Sequence, residues 1–198
     1  MHEQNTTNIQ KKHDMIYIAM PKGCVFQKSK KVVENFTGME ITSGQLKIAY
    51  KKYMFCFLKH RDIPKLVENG VFHYGITSDE WLKETEVKVK RIKELDWCDT
   101  KIALIRQKGD EGEIRSCVTE FPNIAMKTLK KSISVQYVSG SSEALVPEFY
   151  DSCIDCVESG RTLEKNNLII DQILLNSKTV LIGNEDNRYL LEDFMRWL

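Results

Sequence analysis

Residues 151–163 read Asp-Ser-Cys-Ile-Asp-Cys-Val-Glu-Ser-Gly-Arg-Thr-Leu, an apolar run with two acids that ends in a bend and passes into a helical segment. These residue types suit the binding of a sugar phosphate. Ser159 and Thr162 supply hydroxyls, and Gly160 lets the backbone come close to an anion. Backbone N–H groups opening the helix after Arg161 add a fixed positive potential. Asp151 and Asp155, at the other end, could accept from ribose hydroxyls or face a magnesium ion through water. The same residues also fit a strand, a Ser-Gly turn and a capped helix with no ligand.

Three more turns follow apolar stretches: Pro21-Lys22-Gly23, Thr77-Ser78-Asp79 and Ser139-Gly140-Ser141-Ser142-Glu143. In open α/β sheets, ligands bind beyond the carboxyl ends of the strands, so the four turns are the expected wall of a site. Hydroxyls, glycines, backbone N–H groups and lysines converge there, with acids beside them. No nucleophile–histidine pair stands near any of the four. His2 and His13 belong to a polar leader, which leaves His60 and His73. Metal hydrolysis and serine–histidine catalysis are therefore poorly supported. Transfer at a phosphorylated sugar fits better.

Such turns need strands and helices to present them, and the apolar pattern supplies both in alternation. Strands are expected at Asp14–Met20, Phe72–Thr77, Lys101–Arg106, Arg115–Thr119, Ser134–Val138 and through the Asp151 segment. Ile48–Leu58 alternates and is rich in aromatics, as in a strand or hairpin arm. Val89–Leu95 is extended, and Ile169–Leu175 and Thr179–Gly183 look like separate closing strands. Helices are expected at Val25–Phe36 (closed by Gly38), from Asp62 to Gly70, after Ser78, at Pro122–Lys131 and at Glu143–Phe149. Glu185–Leu198 is amphipathic, with Leu190, Leu191, Phe194 and Trp197 on one face. That face packs back on its own domain more readily than it serves as an interface. The alternation predicts α/β architecture with mainly parallel sheets. No internal repeat stands out.

Composition narrows the setting. A chain of 198 residues holds one large domain or two small ones. A formal net charge of +1 gives no global field toward nucleic acid or membrane. No apolar run approaches the roughly 20 residues that cross a bilayer. Met1–Lys12 is polar, lacks the apolar core of a secretion signal and reads as a frayed extension. The six cysteines lie mostly in apolar segments, which suits a reduced, cytoplasmic setting. Cys153 and Cys156 form a C-x-x-C pair, but in a strand their side chains point to opposite faces, so a structural role fits better than redox or metal work.

Several segments, taken in order, resemble the ATP phosphoribosyltransferase family. These are Ile18-Ala19-Met20-Pro21-Lys22-Gly23, Lys59-His60-Arg61-Asp62-Ile63-Pro64 and Gly75-Ile76-Thr77 in the first half. In the second half, Val118-Thr119-Glu120-Phe121-Pro122-Asn123 is similar to the family's "ATxYPN". Ser139–Glu143 is similar to "SGSVE", and Asp151–Leu163 to the phosphoribosyl-pyrophosphate loop "DAIVDLVETGxTL". The likeness runs over roughly residues 15–184. It implies a two-domain fold of the type II periplasmic-binding-protein kind, with mixed, mainly parallel sheets and a cleft between the domains. Domain I would be discontinuous, residues 1–96 plus 175–198, on the ATP side; domain II, residues 97–174, would hold phosphoribosyl pyrophosphate.

The resemblance also implies the reaction, the first step of histidine biosynthesis. A ring nitrogen of ATP attacks the anomeric carbon of phosphoribosyl pyrophosphate and pyrophosphate leaves, shielded by Mg2+. Carried over by position, Ser159, Gly160, Arg161 and Thr162 would cradle the ribose phosphate, with Glu158 alongside. Asp151, Asp155 and Glu143 would stand near the ribose hydroxyls, and Gly140 and Ser141 would shape the neighbouring turn. Lys22 and Lys59 would face pyrophosphate or ATP phosphates, with Thr77 and Ser78 near the nucleotide. Asp155, Lys22 and Lys59 are the expected catalytic residues. The length resembles that of the short form, which works with a regulatory subunit similar to histidyl-tRNA synthetase, so a homo- or hetero-oligomer is expected.

Five positions depart from the family pattern. Cys24 stands where an arginine usually follows "PKG", which removes a planar cation able to clamp phosphate. In "DLGITGxD", His73 replaces the first aspartate, Ser78 a glycine and Glu80 the last aspartate. Ser142 replaces the valine of "GSVE". Two alternatives stay open: a divergent phosphoribosyltransferase with another acceptor, and a non-catalytic phosphate- or nucleotide-binding paralogue.

Overall fold

The computed structural model describes residues 15–184 and 191–198. The expected polar leader and the first part of the expected terminal helix lie outside the described residues. The chain forms two compact α/β units. The first comprises described residues up to Trp81, Val87–Trp97 and those from Thr179 onward; the second comprises Leu82–Glu86 and Cys98–Lys178.

The first unit is built on β1 (Ile16–Pro21), β2 (Lys47–Tyr50), β3 (Tyr53–Leu58) and β4 (Tyr74–Ser78). β1 is an inner strand buried on both faces, which is why it reads as an apolar run rather than an alternation. It pairs in parallel with β3 on one side and β4 on the other. β2 and β3 form an antiparallel hairpin whose turn holds Lys51 at φ 52°. Helix α1 (Phe26–Thr37) buries Ser29, Val33 and Thr37, spaced four apart. It stops at Gly38, whose φ of 70° lets its N–H reach the Glu34 carbonyl at 2.8 Å. Phe36 stands edge-on to Tyr50, Tyr53, Phe55 and Phe194 at centroid distances of 5.2–5.8 Å.

Helix α2 (Ile63–Glu68), with Pro64 in its first turn, lies directly on β4. The contact is so close that a Cβ on Gly75 would sit 2.4 Å from Ile63 Cγ2 and 3.0 Å from Val67 Cγ2. Glycine is needed here for space.

The second unit is built on β5 (Lys90–Gln107), β6 (Ser116–Thr119), β7 (Ser134–Tyr137), β8 (Ser152–Val157) and β9 (Leu168–Gly183). β6 pairs in parallel with β7 and with β8. β5 runs antiparallel to β8, from Lys101 opposite Val157 to Arg106 opposite Ser152. α3 (Asp79–Thr85) carries the chain out of the first unit, and α4 (Pro122–Thr128) follows β6. Glu84 caps α4: its two carboxylate oxygens accept the N–H groups of Asn123 at 3.0 Å and Ile124 at 2.9 Å. A short helix, α5 (Arg161–Lys165), follows β8.

Several elements differ from the sequence expectation. Val89–Leu95 and Lys101–Arg106 are one strand, β5, and the two expected closing strands are likewise one, β9. Each passes from one unit into the other, and in each a mixed, mostly exposed pattern gives way to continuous burial, so the change looks like a break. Glu143–Phe149 is only a 3-10 turn, Ser142–Leu145, because Pro147 holds Val146 extended at ψ 133°. The terminal helix, α6 (Glu192–Met195), is a single turn that buries Leu191 and Phe194 in the first unit's core. Trp197 does not share that face: the chain closes there in a tight turn, Trp197 N–H to the Phe194 carbonyl, and the indole is 48% exposed.

Gly75→Ala should lower the unfolding free energy by about 1–3 kcal/mol, because Ile63 and Val67 must yield. Urea denaturation measures this, and unchanged stability would refute the close packing.

Candidate active site

In the second unit the parallel strands β6, β7 and β8 deliver three turns to one edge of the sheet. The β6 end is tied to β8 by Thr119, whose Oγ1 donates to the Ile154 carbonyl at 2.7 Å and accepts the Phe121 N–H at 2.9 Å. The β7 end opens into Ser139–Glu143, where Gly140 has φ 99° and Ser141 φ 55°. The β8 end opens into Glu158–Thr162, where Gly160 has φ 73° and starts α5. Ser159, Arg161 and Thr162 are exposed, while Leu163 is buried in the second unit's core and anchors the bend.

Asp155 is on β8, three residues before this bend begins at Glu158. It is nearly buried, at 8% exposure. Ser142 Oγ donates to its Oδ2 at 2.5 Å, and the Cys156 N–H donates to its Oδ1 at 2.7 Å. Glu143, beside it, is pushed up to about 7 by burial, with Asp155 and Glu120 adding to the rise. Two carboxyl groups that repel one another near neutral pH leave one of them readily protonated.

Asp151 is placed elsewhere. It precedes β8, at the opposite end of the strand from the bend, and its Oδ2 accepts the N–H groups of Arg115 and Ser116 at 2.8 and 2.9 Å. Ser116 Oγ also donates to it at 3.0 Å. These bonds, the Arg115 N–H first, hold its carboxyl below the usual range. Asp151 thus ties β8 to the start of β6, and the structure does not bring it to the other site residues.

The first unit gathers its own set at the carboxyl ends of β1, β3 and β4. Lys22 N–H donates to the Leu58 carbonyl at 2.8 Å, which sets the Lys22 and Lys59 turns side by side. Lys59 is exposed and Lys22 half-buried. Thr77 is fully buried and its Oγ1 donates to the His60 carbonyl at 3.5 Å. Ser78 Oγ and His60 Nε2 are enclosed without a hydrogen-bond partner. Burial lowers the His60 imidazole to about 4.

The structure accounts for several family departures. His73 lies at the other end of β4, where its Nδ1 accepts the Tyr17 N–H at 3.0 Å, and its ring stacks on Tyr17 at 5.8 Å. It thereby does the accepting that a carboxylate could do there. Ser78 ends β4 and is not among the residues with positive φ, so a side chain is tolerated without backbone strain. Ser142, read in sequence only as a missing valine, holds Asp155. Its proximity to a carboxylate thirteen residues away in sequence left no local signal. Glu80 is buried, and Cys24 is exposed. In the C-x-x-C pair, Cys153 is buried and its thiol pushed up, so it is poorly suited to redox work.

The fold defines a class. A truncated, arginine-bound ArgBP from Thermotoga maritima superposes with a TM-score of 0.59, at 10% identity over 96% of this chain and 97% of the other. Both units therefore belong to a periplasmic-binding-protein type II-like architecture. A chain of an ATP phosphoribosyl transferase (HisG:HisZ) complex from Thermotoga maritima is more similar, with a TM-score of 0.80 and 23% identity over 92% and 95% of the two chains. The sequence profile of ATP phosphoribosyltransferase matches residues 59–196. The ATP phosphoribosyltransferase of Clostridioides difficile is 32% identical over 86% of this chain and 88% of its own. That of Aquifex aeolicus is 30% identical over 87% and 86%. The chain belongs to the ATP phosphoribosyltransferase family.

Because the folded protein favours protonated Glu143, this group's contribution to stability is full below its ordinary value of 4.5 and is lost as pH rises toward about 7. Glu143→Gln should flatten that part of the profile and stabilise the protein by about 1–2 kcal/mol at pH 8, after solvent screening at a half-buried position. Urea titrations at several pH values decide it; parallel profiles for the two proteins would remove the pairing.

Proposed function

We propose that this chain is an ATP phosphoribosyltransferase of histidine biosynthesis, moving phosphoribosyl from phosphoribosyl pyrophosphate to ATP with release of pyrophosphate. The observation that carries the reading is the convergence in one unit of the Glu158–Thr162 bend, the Gly140–Glu143 turn and Asp155. The bend takes the 5-phosphate: Ser159 and Thr162 hydroxyls donate to it, and Arg161 adds charge. The N–H groups at the start of α5 remain unused by the helix itself.

Asp155 takes a ribose hydroxyl. Ser142 and the Cys156 N–H fix its carboxylate beforehand, so little reorganisation accompanies binding. Glu143 sits where positive charge grows as the bond to pyrophosphate lengthens, and a carboxylate there favours the separated state. Lys22 and Lys59 offset the charge of pyrophosphate or of the ATP phosphates, and the Thr77–Ser78 turn borders the nucleotide. Asp151 is left outside this set by its place at the far end of β8.

Magnesium fits as part of the substrate. Among the described residues no group of three or more histidine, cysteine, aspartate or glutamate side chains is placed to hold a metal. Glu143 and Asp155 offer two carboxyls, which suits a hydrated ion held mainly by pyrophosphate oxygens. When bound, that ion screens the departing charge. We place the enzyme in the cytoplasm: the described cysteines are all free, and no described helix is long and apolar enough to cross a membrane. A regulatory chain similar to histidyl-tRNA synthetase is a proposed partner, supported by the HisG:HisZ assembly of the Thermotoga maritima protein.

A different acceptor is the second reading, favoured by exposed Cys24 where an arginine is expected. Calorimetry separates the two: the first requires binding of both ATP and phosphoribosyl pyrophosphate with magnesium, the second only of the sugar phosphate. The absorbance of phosphoribosyl-ATP, followed with and without a regulatory chain, reports turnover, and its absence in both would defeat the first reading. Thr162→Val should weaken phosphoribosyl pyrophosphate binding by about 1–3 kcal/mol, whereas Asp151→Asn should leave that affinity unchanged and lower stability instead.

A further inference from the structure

The second unit holds a cavity of about 350 Å³ that shares no residue with the phosphate bend. It lies at the amino ends of β6 and β7, beside the carboxyl end of α4, and is walled by parts of β5 and β9. Arg106 on β5 lines it and stands opposite Ser152, the first residue of β8, whereas the bend follows the last. A space of this size suits a small ligand, for which sites of roughly 300–1,000 Å³ are usual.

Arg106 is only 9% exposed. Its Nη2 donates to the Gly112 carbonyl at 2.6 Å and lies 3.5 Å from the Asp110 carboxylate. Its Nη1 lies 3.5 Å from the Asp171 carboxylate. Its Nε is enclosed with no hydrogen-bond partner among the described residues. A guanidinium carries five N–H donors in a fixed fork, so this one is held short of a full set of acceptors. The rest of the lining divides in two. Leu104 is buried, and Ile114, Leu129 and Ile133 are half-buried, which gives apolar walls. The charged side chains are Arg106 and Lys130 against Glu113 and Asp171. Glu113 lies 3.4 Å from Arg115, so the acid standing against Arg106 is Asp171.

That balance selects among ligands. A phosphate ester needs surplus positive charge, and here Asp110 and Asp171 already flank the buried cation. A simple amine has no use for the idle Nε–H. A zwitterion answers both demands. An α-amino acid carries its carboxylate and ammonium close together, and Arg106 and Asp171, themselves in contact, offer the opposite charges at similarly close spacing. An aliphatic side chain then leaves water for the apolar walls.

We propose that this cavity binds an apolar α-amino acid. Its carboxylate meets the Arg106 guanidinium, its ammonium meets Asp171, and its side chain lies among Leu104, Ile114, Leu129 and Ile133. The site is distinct from the one proposed for the sugar phosphate and does not depend on that reading.

Calorimetry of the full chain with L-leucine tests it. Leucine should bind. Leucinamide, which lacks the carboxylate, and 4-methylpentanoate, which lacks the ammonium, should each bind about tenfold or more weakly. Glycine, which lacks the side chain, should lose a similar factor. Arg106→Lys keeps the charge without the fork and should weaken leucine about 10- to 100-fold. Ile133→Trp fills the cavity without touching its charges and should block leucine, with folding of both variants checked by circular dichroism. Absence of leucine binding overturns the proposal and leaves a cavity that holds water only. So does leucine that binds no better than glycine or 4-methylpentanoate, or that binds a folded variant of either kind as well as the natural chain. Complete displacement of leucine by phosphoribosyl pyrophosphate overturns it too, since the amino acid would then occupy the bend.

Discussion

Two strands serve both units, and that constraint arranges everything else. β9 closes the first sheet by running antiparallel to β4, and β5 closes the second by running antiparallel to β8. Each sheet then keeps three parallel strands together, β3-β1-β4 in one and β7-β6-β8 in the other. The closing strand satisfies the backbone groups on the side of β4 and of β8 that faces away from the triad. Three parallel strands deliver three carboxyl ends, hence three turns, to one edge. Lys22, Lys59 and Thr77 share one such edge; Thr119, Glu143 and the Glu158–Thr162 bend share the other. The strand order within each triad is the same, second–first–third by chain order, although the sequence shows no repeat. Topology repeats where side chains do not.

The turns were legible because their residue types are needed for local reasons. Gly160 and Gly140 both have positive φ, and Pro21 and Pro122 end or begin elements where proline is tolerated. The continuity of β5 and β9 was not legible, since periodicity reports burial and these strands change their surroundings halfway. Nor was the difference between Asp151 and Asp155. Both are acids of one segment, Asp151 just before β8 and Asp155 within it, but four extended residues span about 13 Å, so only one can reach the bend. A carboxylate that ties strand starts together has the same sequence signature as one held beside the bend. Only the register of β6 against β8 separates them.

The departures from the family pattern teach the same lesson in reverse. Read along the sequence, His73 for aspartate removes a charge; in the fold it keeps an acceptor for the Tyr17 N–H. Ser142 for valine looks like a loss of packing, yet the hydroxyl becomes the donor that orients Asp155. Hydrogen-bonding capacity, more than residue class, is what these positions require. Cys24 is different. It is exposed in a turn beside Lys22, and a thiol offers no planar donor fork to a phosphate.

The cost of the second unit's carboxyl pair argues that it is kept for chemistry. The burial of Glu143 itself, with Asp155 beside it, raises its proton affinity, a destabilising arrangement at neutral pH, while Asp155 is held by two hydrogen bonds. By contrast, Glu84 is also buried and also raised, but both its oxygens cap α4 and its role is complete within the fold. The Glu143 carboxyl bonds only locally, to its own backbone N–H and to Asp155. In the reading proposed above, a group raised to about 7, next to a fixed carboxylate and near the Glu158–Thr162 bend, suits a substrate whose charge changes locally as its pyrophosphate departs.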